Sequence, residues 1–399
     1  MNNKSISWKK NLYIISIAEF FAIVGFSLFS PFLSLYIQQL GNFTSAQASI
    51  WAGIAIGGAG LSMFISSPIW GIVSDRLGRK PMLMRAQFGG AVIIGLFIIA
   101  PNVYSFVGLR IIQGLFTGTV TAASAMIAAG TPRDKLTISM GTLLGAVYAG
   151  TTMGPLLGGF LADSVGIKAT FAITSGLLAI GGIIILFFAT ENFQRPAEGQ
   201  RTSLKEVLSL AFSPKILPLL MVVAALNLGP QIVQPILPLI ISEISPVGKA
   251  ASLSGLALGL MGIMAAISAF VIGRFNRRFP VRTILIVCCI GTGLLYLPSI
   301  WAGSAAQLVV FIGITGLLVG GIVTSSNSLI GMAVPISQQG VGYGLSQSAM
   351  SLGGGLGPFI GGGLASLIGL RPVLGVTAGV YVAVGIIAAL LIPKTLSRN

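Results

Sequence analysis

One carboxyl in this chain sits where nothing around it shares its polarity. Glu19 lies in "SIAEFFAIVGFSLFSPFL", nine residues beyond Lys10, while the other seven acidic residues fall in loops or at the ends of apolar runs. At 1.5 Å per residue a helix carries Glu19 about 13 Å past that lysine. In a membrane this is near mid-bilayer, where a charged side chain costs about 2.5–3.5 kcal/mol on insertion scales and usually faces a cavity or a partner. A carboxyl can take and release a proton, so Glu19 is the candidate proton carrier. Arg110, in "LRIIQG", is also placed at middle depth within an apolar run. An arginine does not practically deprotonate. It can tune a neighbouring carboxyl, or fix helix packing through an ion pair or carbonyl bonds.

The elements that must hold these residues follow from composition. The 399 residues are 54% hydrophobic and only 8% charged, with 54 glycines and a mean hydropathy of +0.96. A soluble domain carries about a quarter charged residues, whereas small residues suit close helix packing in a bilayer. The chain therefore reads as an all-α polytopic membrane protein. Apolar runs of about 20 residues place spans near 12–37, 48–73, 81–100, 104–129, 136–160 and 168–189. Six more lie near 216–241, 249–273, 283–301, 305–331, 341–367 and 371–392. The polar stretch between the sets divides the chain into a first six-helix bundle (1–190), a cytoplasmic linker (191–215) and a second bundle (216–399). With twelve spans both termini share one side. Assigning that side as cytoplasmic gives it 19 of the 23 lysines and arginines, all but Lys168, Lys249, Arg371 and the in-span Arg110. That is the positive-inside pattern. It accounts for the net charge of +15 without nucleic acid.

The halves echo each other at an offset of about 203 residues. "GTTMGPLLGG" returns as "GGGLGPFIGG", both reading G-x-x-x-G-P-x-x-G-G in the fifth span of each half. Parallel six-span repeats are a transporter architecture, with the substrate site near the midplane between them. Gly150, Gly154, Gly158 and Gly159 clear one helix face, and Pro155 bends it. Gly353, Gly357, Pro358, Gly361 and Gly362 repeat the pattern. This reads as a close, bendable contact between halves that seals one side of the cavity, or as static small-residue packing. Asn227, Gln231 and Gln234 in the seventh span are polar candidates for a cavity, as are Ser325, Ser326 and Asn327 in the tenth. Hydrogen bonding between helices is the equal alternative. Phe20, Phe21, Tyr36, Phe116 and Tyr148 offer aromatic surface to an apolar ligand or to packing. Trp51 and Trp301 fall near span ends, where interface anchoring is ordinary.

A charged island, "GIVSDRLGRK", separates the second and third spans, and a weaker copy, "GRFNRRFPVR", occupies the matching place in the second half. The island resembles the G-x-x-x-D-R-x-G-R-R/K signature of the major facilitator superfamily. "GTTMGPLLGG" resembles the fifth-span motif of its drug antiporters, and "LRIIQG", which includes Gln113, resembles the fourth-span motif. The chain as a whole is similar to twelve-span multidrug/proton antiporters of the PmrA/MdtG-like subgroup. Its first span also resembles that of MdfA-type transporters, with Ser27 standing where those have a second acid. The resemblance implies two pseudo-symmetric six-helix bundles rocking about a central cavity. It implies proton-coupled efflux of lipophilic, often cationic compounds, or another cargo on the same fold, such as a sugar or a lipid.

The resemblance also implies a cytoplasmic latch. Gly71, Asp75, Arg76, Gly78, Arg79 and Lys80 would form it, with Asp75 meeting the start of the eleventh helix and Arg79 meeting Asp134. The helix N-terminus carries a partial positive charge, which suits an aspartate. The expected cofactor is none, with a proton gradient as the energy source. Expected partners are small lipophilic molecules, protons and the bilayer of the plasma or inner membrane, with the chain acting as a monomer and both termini cytoplasmic. With no histidine, P-loop, H-x-x-x-H, G-x-S-x-G or cysteine cluster, the sequence does not support an enzyme or an ATP-driven pump. Cys288 and Cys289 are adjacent in an apolar run and read as packing residues.

Overall fold

Long apolar runs interrupted by single glycines and prolines become twelve helical passes in the computed structural model. It describes residues 8–132, 135–191, 209, 211–213, 216–275, 279–333 and 339–392, and their regular structure is all helical. The first pass comprises α1 (Trp8–Phe29), a 3-10 turn (Ser30–Phe32) and α2 (Leu33–Leu40). It tightens at Pro31 because proline has no N–H to continue the ladder. α3 (Ser45–Leu77) begins on a reciprocal cap, in which Thr44 Oγ1 accepts from Gln47 N at 3.3 Å and Gln47 Oε1 accepts from Thr44 N at 3.1 Å. α4 (Arg79–Phe97) follows after a single residue, Gly78, at φ 99°. The fourth pass is α5 (Val103–Phe116) and α6 (Thr119–Gly130). α7 (Leu136–Val165) and α8 (Ile167–Phe188) complete the first bundle.

The second bundle repeats the plan. α9 (Leu217–Val233) and α10 (Leu237–Ile244) form a broken seventh pass. α11 (Ala250–Phe275), α12 (Val281–Tyr296), α13 (Ala305–Ala333), α14 (Gln339–Ile368) and α15 (Pro372–Leu391) follow. Among the described residues ten passes have the length and hydropathy of a membrane span. The other two, α4 and α7, have 19 and 30 residues, about 28 and 45 Å.

Two expectations change here. The charged island is not a loop, because Gly71–Leu77 are the last turns of α3 and Arg79 already begins α4. A left-handed glycine reverses the chain in one residue, so no loop is needed. The fourth span is not one helix either, because Gly118 at φ 109° breaks it. Most of the 191–215 linker lies outside the described residues.

Aromatic packing ties the first bundle together away from the termini. Phe29, Tyr36, Phe97, Phe106 and Phe171 bring rings from α1, α2, α4, α5 and α8 to centroid distances between 4.9 Å (Tyr36–Phe171) and 6.1 Å (Phe106–Phe171). Tyr36 Oη donates to Phe97 O at 3.1 Å. Each such pair contributes about 0.5–1.5 kcal/mol. Tyr36 is thus a core residue rather than part of a ligand pocket.

Candidate functional site

The bundles meet along two seams, α3 with α14 and α7 with α11. Both are backbone-tight because glycines face carbonyls. A methyl on Gly53 would strike Pro358 O, and one on Gly255 would strike Pro155 O. Ser49 Oγ donates to Gly362 O at 3.2 Å, and its counterpart Ser252 Oγ donates to Gly159 O at 3.3 Å. Gly57 and Gly60 on α3, and Gly259 and Gly262 on α11, continue these seams. Their spacing of four and three residues is the small-residue signal that sequence reasoning passed over.

The antiporter-type glycines divide their work differently from the expected seal. Gly150, Gly154 and Gly158 face α1 of their own bundle, against Ile23, Ser27 and the Leu28 carbonyl. Gly353, Gly357 and Gly361 face α9 in the same way. Only Gly159 and Gly362, beside their prolines, reach the other bundle. A helix presents four-spaced residues to one neighbour, and the adjacent position falls on the next face.

Between the seams lies a cleft, and exposure along α1 shows which way it opens. Tyr13 and Ile17 are 61% and 50% exposed, Phe20 and Phe21 are half-buried, and Val24 and Leu28 are closed off. The first pass meets the second bundle chiefly through its 3-10 turn and α2, so the cleft opens at the end that holds Trp8 and Ile392, the near end, and closes toward the far end. There Gln234 Nε2 donates to Ser30 Oγ at 3.2 Å, bridging the bundles. At the far-end edge of one seam Asp163 Oδ2 accepts from Ser252 N at 2.6 Å and Oδ1 accepts from Ala251 N at 3.3 Å. This carboxylate caps α11 from across the interface. The matching residue of the second half is Ser366, which bonds within its own helix.

Glu19 is fully buried in the near-end half of the first pass. Around that level lie Ala18, Leu83, Ala123 and Ile185 of an apolar cluster, and the Thr119 side chain reaches its carboxyl. Neither carboxyl oxygen has a hydrogen-bond partner among the described residues. Arg110 is also buried but stands farther along. Its guanidinium donates to Gln113 Oε1 and lies 5.5 Å from the Phe29 ring centroid. Phe29 is ten residues beyond Glu19, about 15 Å of helix, and no ion pair joins the two charges among the described residues.

The other candidates scatter. Asn227 Nδ2 donates to Met350 O, tying α9 to α14, and Gln231 packs against Gly357. Tyr148 and Asn327 are exposed, Ser27 is half-buried against Gly154, and Ser325 is buried.

In the island, Gly78 turns the chain and Lys80 Nζ donates to Leu186 O and Ala189 O, both at 2.8 Å. Glu191, which sequence reasoning placed in the linker, accepts from Arg79 N and Lys80 N at 2.8 Å each. Lys80 is thus engaged with the sixth pass of its own bundle, and Arg79 through its backbone with the residue just beyond it. The side chains of Asp75 and Arg76, the surroundings of Gly71, and Asp134 lie outside the described residues. Arg85 stacks 3.5 Å from the Trp70 ring centroid. Among the described residues no cluster of Cys, Asp and Glu could hold a metal.

Two six-helix bundles packed along two seams in a chain of apolar spans are a transporter architecture. The chain belongs to the Major Facilitator Superfamily, whose family model matches residues 15–305 and 228–399. It is 33% identical over 388 residues to a protein of Lactococcus lactis subsp. lactis (strain IL1403) named multi-drug resistance efflux pump PmrA homolog, covering 96% of this chain and 95% of that one. It is 32% identical over 381 residues to the multidrug resistance protein MdtG of Escherichia coli (strain SMS-3-5 / SECEC), covering 95% and 93%. Among solved structures it resembles a bacterial homologue of the human lysosomal transporter Spinster in an inward-facing, occupied conformation. The TM-score there is 0.81 at 13% identity, with all of both chains covered. The human organic anion transporter MFSD10 matches at TM-score 0.72 and 16% identity, covering 96% and 99%. Both structural matches speak for the fold alone.

Proposed function

We propose that this protein is a proton-coupled multidrug antiporter that exports lipophilic, often cationic compounds by alternating access. The observation that carries the reading is near-full-length similarity to proteins named multidrug efflux pumps. The site supports it. The α1 face that closes along the cleft carries Tyr13, Ile17, Phe20 and Val24, apolar and aromatic surface that suits lipophilic cargo. Among the described residues Glu19 is the one acid buried within the spans, and it is the group that exchanges proton for cargo in this reading. The near end is cytoplasmic, since the basic residues gather there. Asp75 and the start of α14 form the cytoplasmic latch of the outward-facing state.

Proteoliposome flux tests this. An imposed pH gradient should drive ethidium and a quinolone outward but neither a sugar nor a lipid headgroup, and Glu19→Gln should abolish the drive. Drug flux that ignores the gradient, or gradient-driven sugar flux, refutes the reading.

A further inference from the structure

The break in the fourth pass faces the buried carboxyl, and that juxtaposition has chemical content. α5 ends at Phe116, Gly118 turns the backbone at φ 109°, and α6 restarts at Thr119 in the interior of the span. No side chain caps this new N-terminus. Its first intrahelical bond is Ala122 N to Gly118 O at 3.2 Å, so the N–H groups of Thr119, Val120 and Thr121 have no acceptor within α6. A helix N-terminus inside a membrane is a place for negative charge. An independent observation shows what fills it. Glu19, fully buried on α1, which packs against α6, has no hydrogen-bond partner on either carboxyl oxygen among the described residues and lies close to the Thr119 side chain.

We infer that the interrupted fourth pass is the receiving site for the Glu19 carboxylate, with Thr119 and Gly118 as its positioning residues and the proton as its exchangeable ligand. This rests on the proton-carrier role proposed for Glu19. When the proton leaves, the O–H bond breaks, its electron pair stays on the carboxylate, and the proton passes to water of the near-end cleft. The Thr119 hydroxyl and the free N–H groups then accept the new charge. No cation is needed for this.

The charged and titratable groups on the surrounding elements are placed elsewhere. α6 carries none. On α4, Arg79 and Lys80 adjoin Glu191 and Arg85 lies over Trp70. On α5, Arg110 is bonded to Gln113, and Tyr104 packs on Trp51. On α7, Asp163 caps α11 and Tyr148 is exposed. Lys168 begins α8 at the far end, while Lys9, Lys10 and Tyr13 occupy the first turns of α1. A continuous fourth helix would leave the carboxylate only the Thr119 hydroxyl, because the backbone N–H groups would bond within the helix.

The test is labelling of the full-length protein in nanodiscs with dicyclohexylcarbodiimide, which adds to a protonated buried carboxyl, read by mass spectrometry of the Glu19 peptide across pH 6–9. Losing a hydrogen bond to a charged group is worth about tenfold or more. Thr119→Val should therefore raise labelling at the alkaline end about tenfold, and Thr119→Ser should stay at the wild-type level. Gly118→Ala, which places a Cβ at a strained φ, should move labelling in the same direction as Thr119→Val. An unchanged pH profile in Thr119→Val, or equal profiles for the valine and serine variants, overturns the inference. If the labelling behaves as expected while Glu19→Gln still couples export to the pH gradient, this site stands and the proton-carrier reading falls.

Discussion

Lys80 and Glu191 show how single side chains in a short polar region do structural work that charge counting misses. Lys80 covers two carbonyls at the end of the sixth pass, while Glu191 returns the favour at the first turn of α4. Each satisfies backbone groups that a helix end leaves open. Replacing a capping residue by alanine costs about 1 kcal/mol. Glu191→Ala should therefore lower the thermal unfolding midpoint of the detergent-solubilised protein while the fold persists. An unchanged midpoint would show that solvent replaces the cap. The island was legible as charge in the sequence. Its partners were not, because Glu191 lies more than a hundred residues away along the chain, in a stretch that reads as linker.

At the scale of elements, the glycine stripe on α7 sets how closely α1 can approach. A Cβ on Gly154 would overlap Ser27 and crowd Val24 O, whereas one on Gly108 meets nothing within 4 Å. Overpacking a tight contact costs about 1–3 kcal/mol. Gly154→Val should thus displace the helix that carries Glu19 and abolish transport in the vesicle assay with the protein still folded. Gly108→Ala should transport normally. Normal transport by Gly154→Val would mean that α1 has slack at this level. The repeated G-x-x-x-G-P-x-x-G-G pattern announced close packing from the sequence alone. Which neighbour received it was set by the phase of the helix, and three of the four glycines turned out to face the same bundle.

At the scale of the whole molecule, rocking of the bundles must open the far end if the near end is to close. The Asp163–α11 cap and the Gln234–Ser30 contact lie on the closed side. Asp163→Asn removes the negative charge from this helix N-terminus and one of its two acceptor oxygens. Spin labels at exposed Tyr104 and Val247 should then report a larger far-end distance or a broader distribution. An unchanged distribution would place the closing force elsewhere. The same labels on the wild-type protein should lengthen as the near end closes around cargo.

The sequence by itself determined that the chain crosses the membrane many times, that it is duplicated, which family it resembles and that Glu19 is buried. These are properties of local composition and spacing: an apolar run of fixed length has to span, and an acid inside it has to be buried. The tertiary structure decided the rest. It showed that Arg110 bonds to Gln113 beside Phe29 and not to Glu19, that Gly118 opens the fourth pass beside Glu19, and that Asp163 and Glu191 serve helices far away in sequence. Contacts of that kind depend on helix phase and on packing between distant segments, and neither is written in any one stretch of residues.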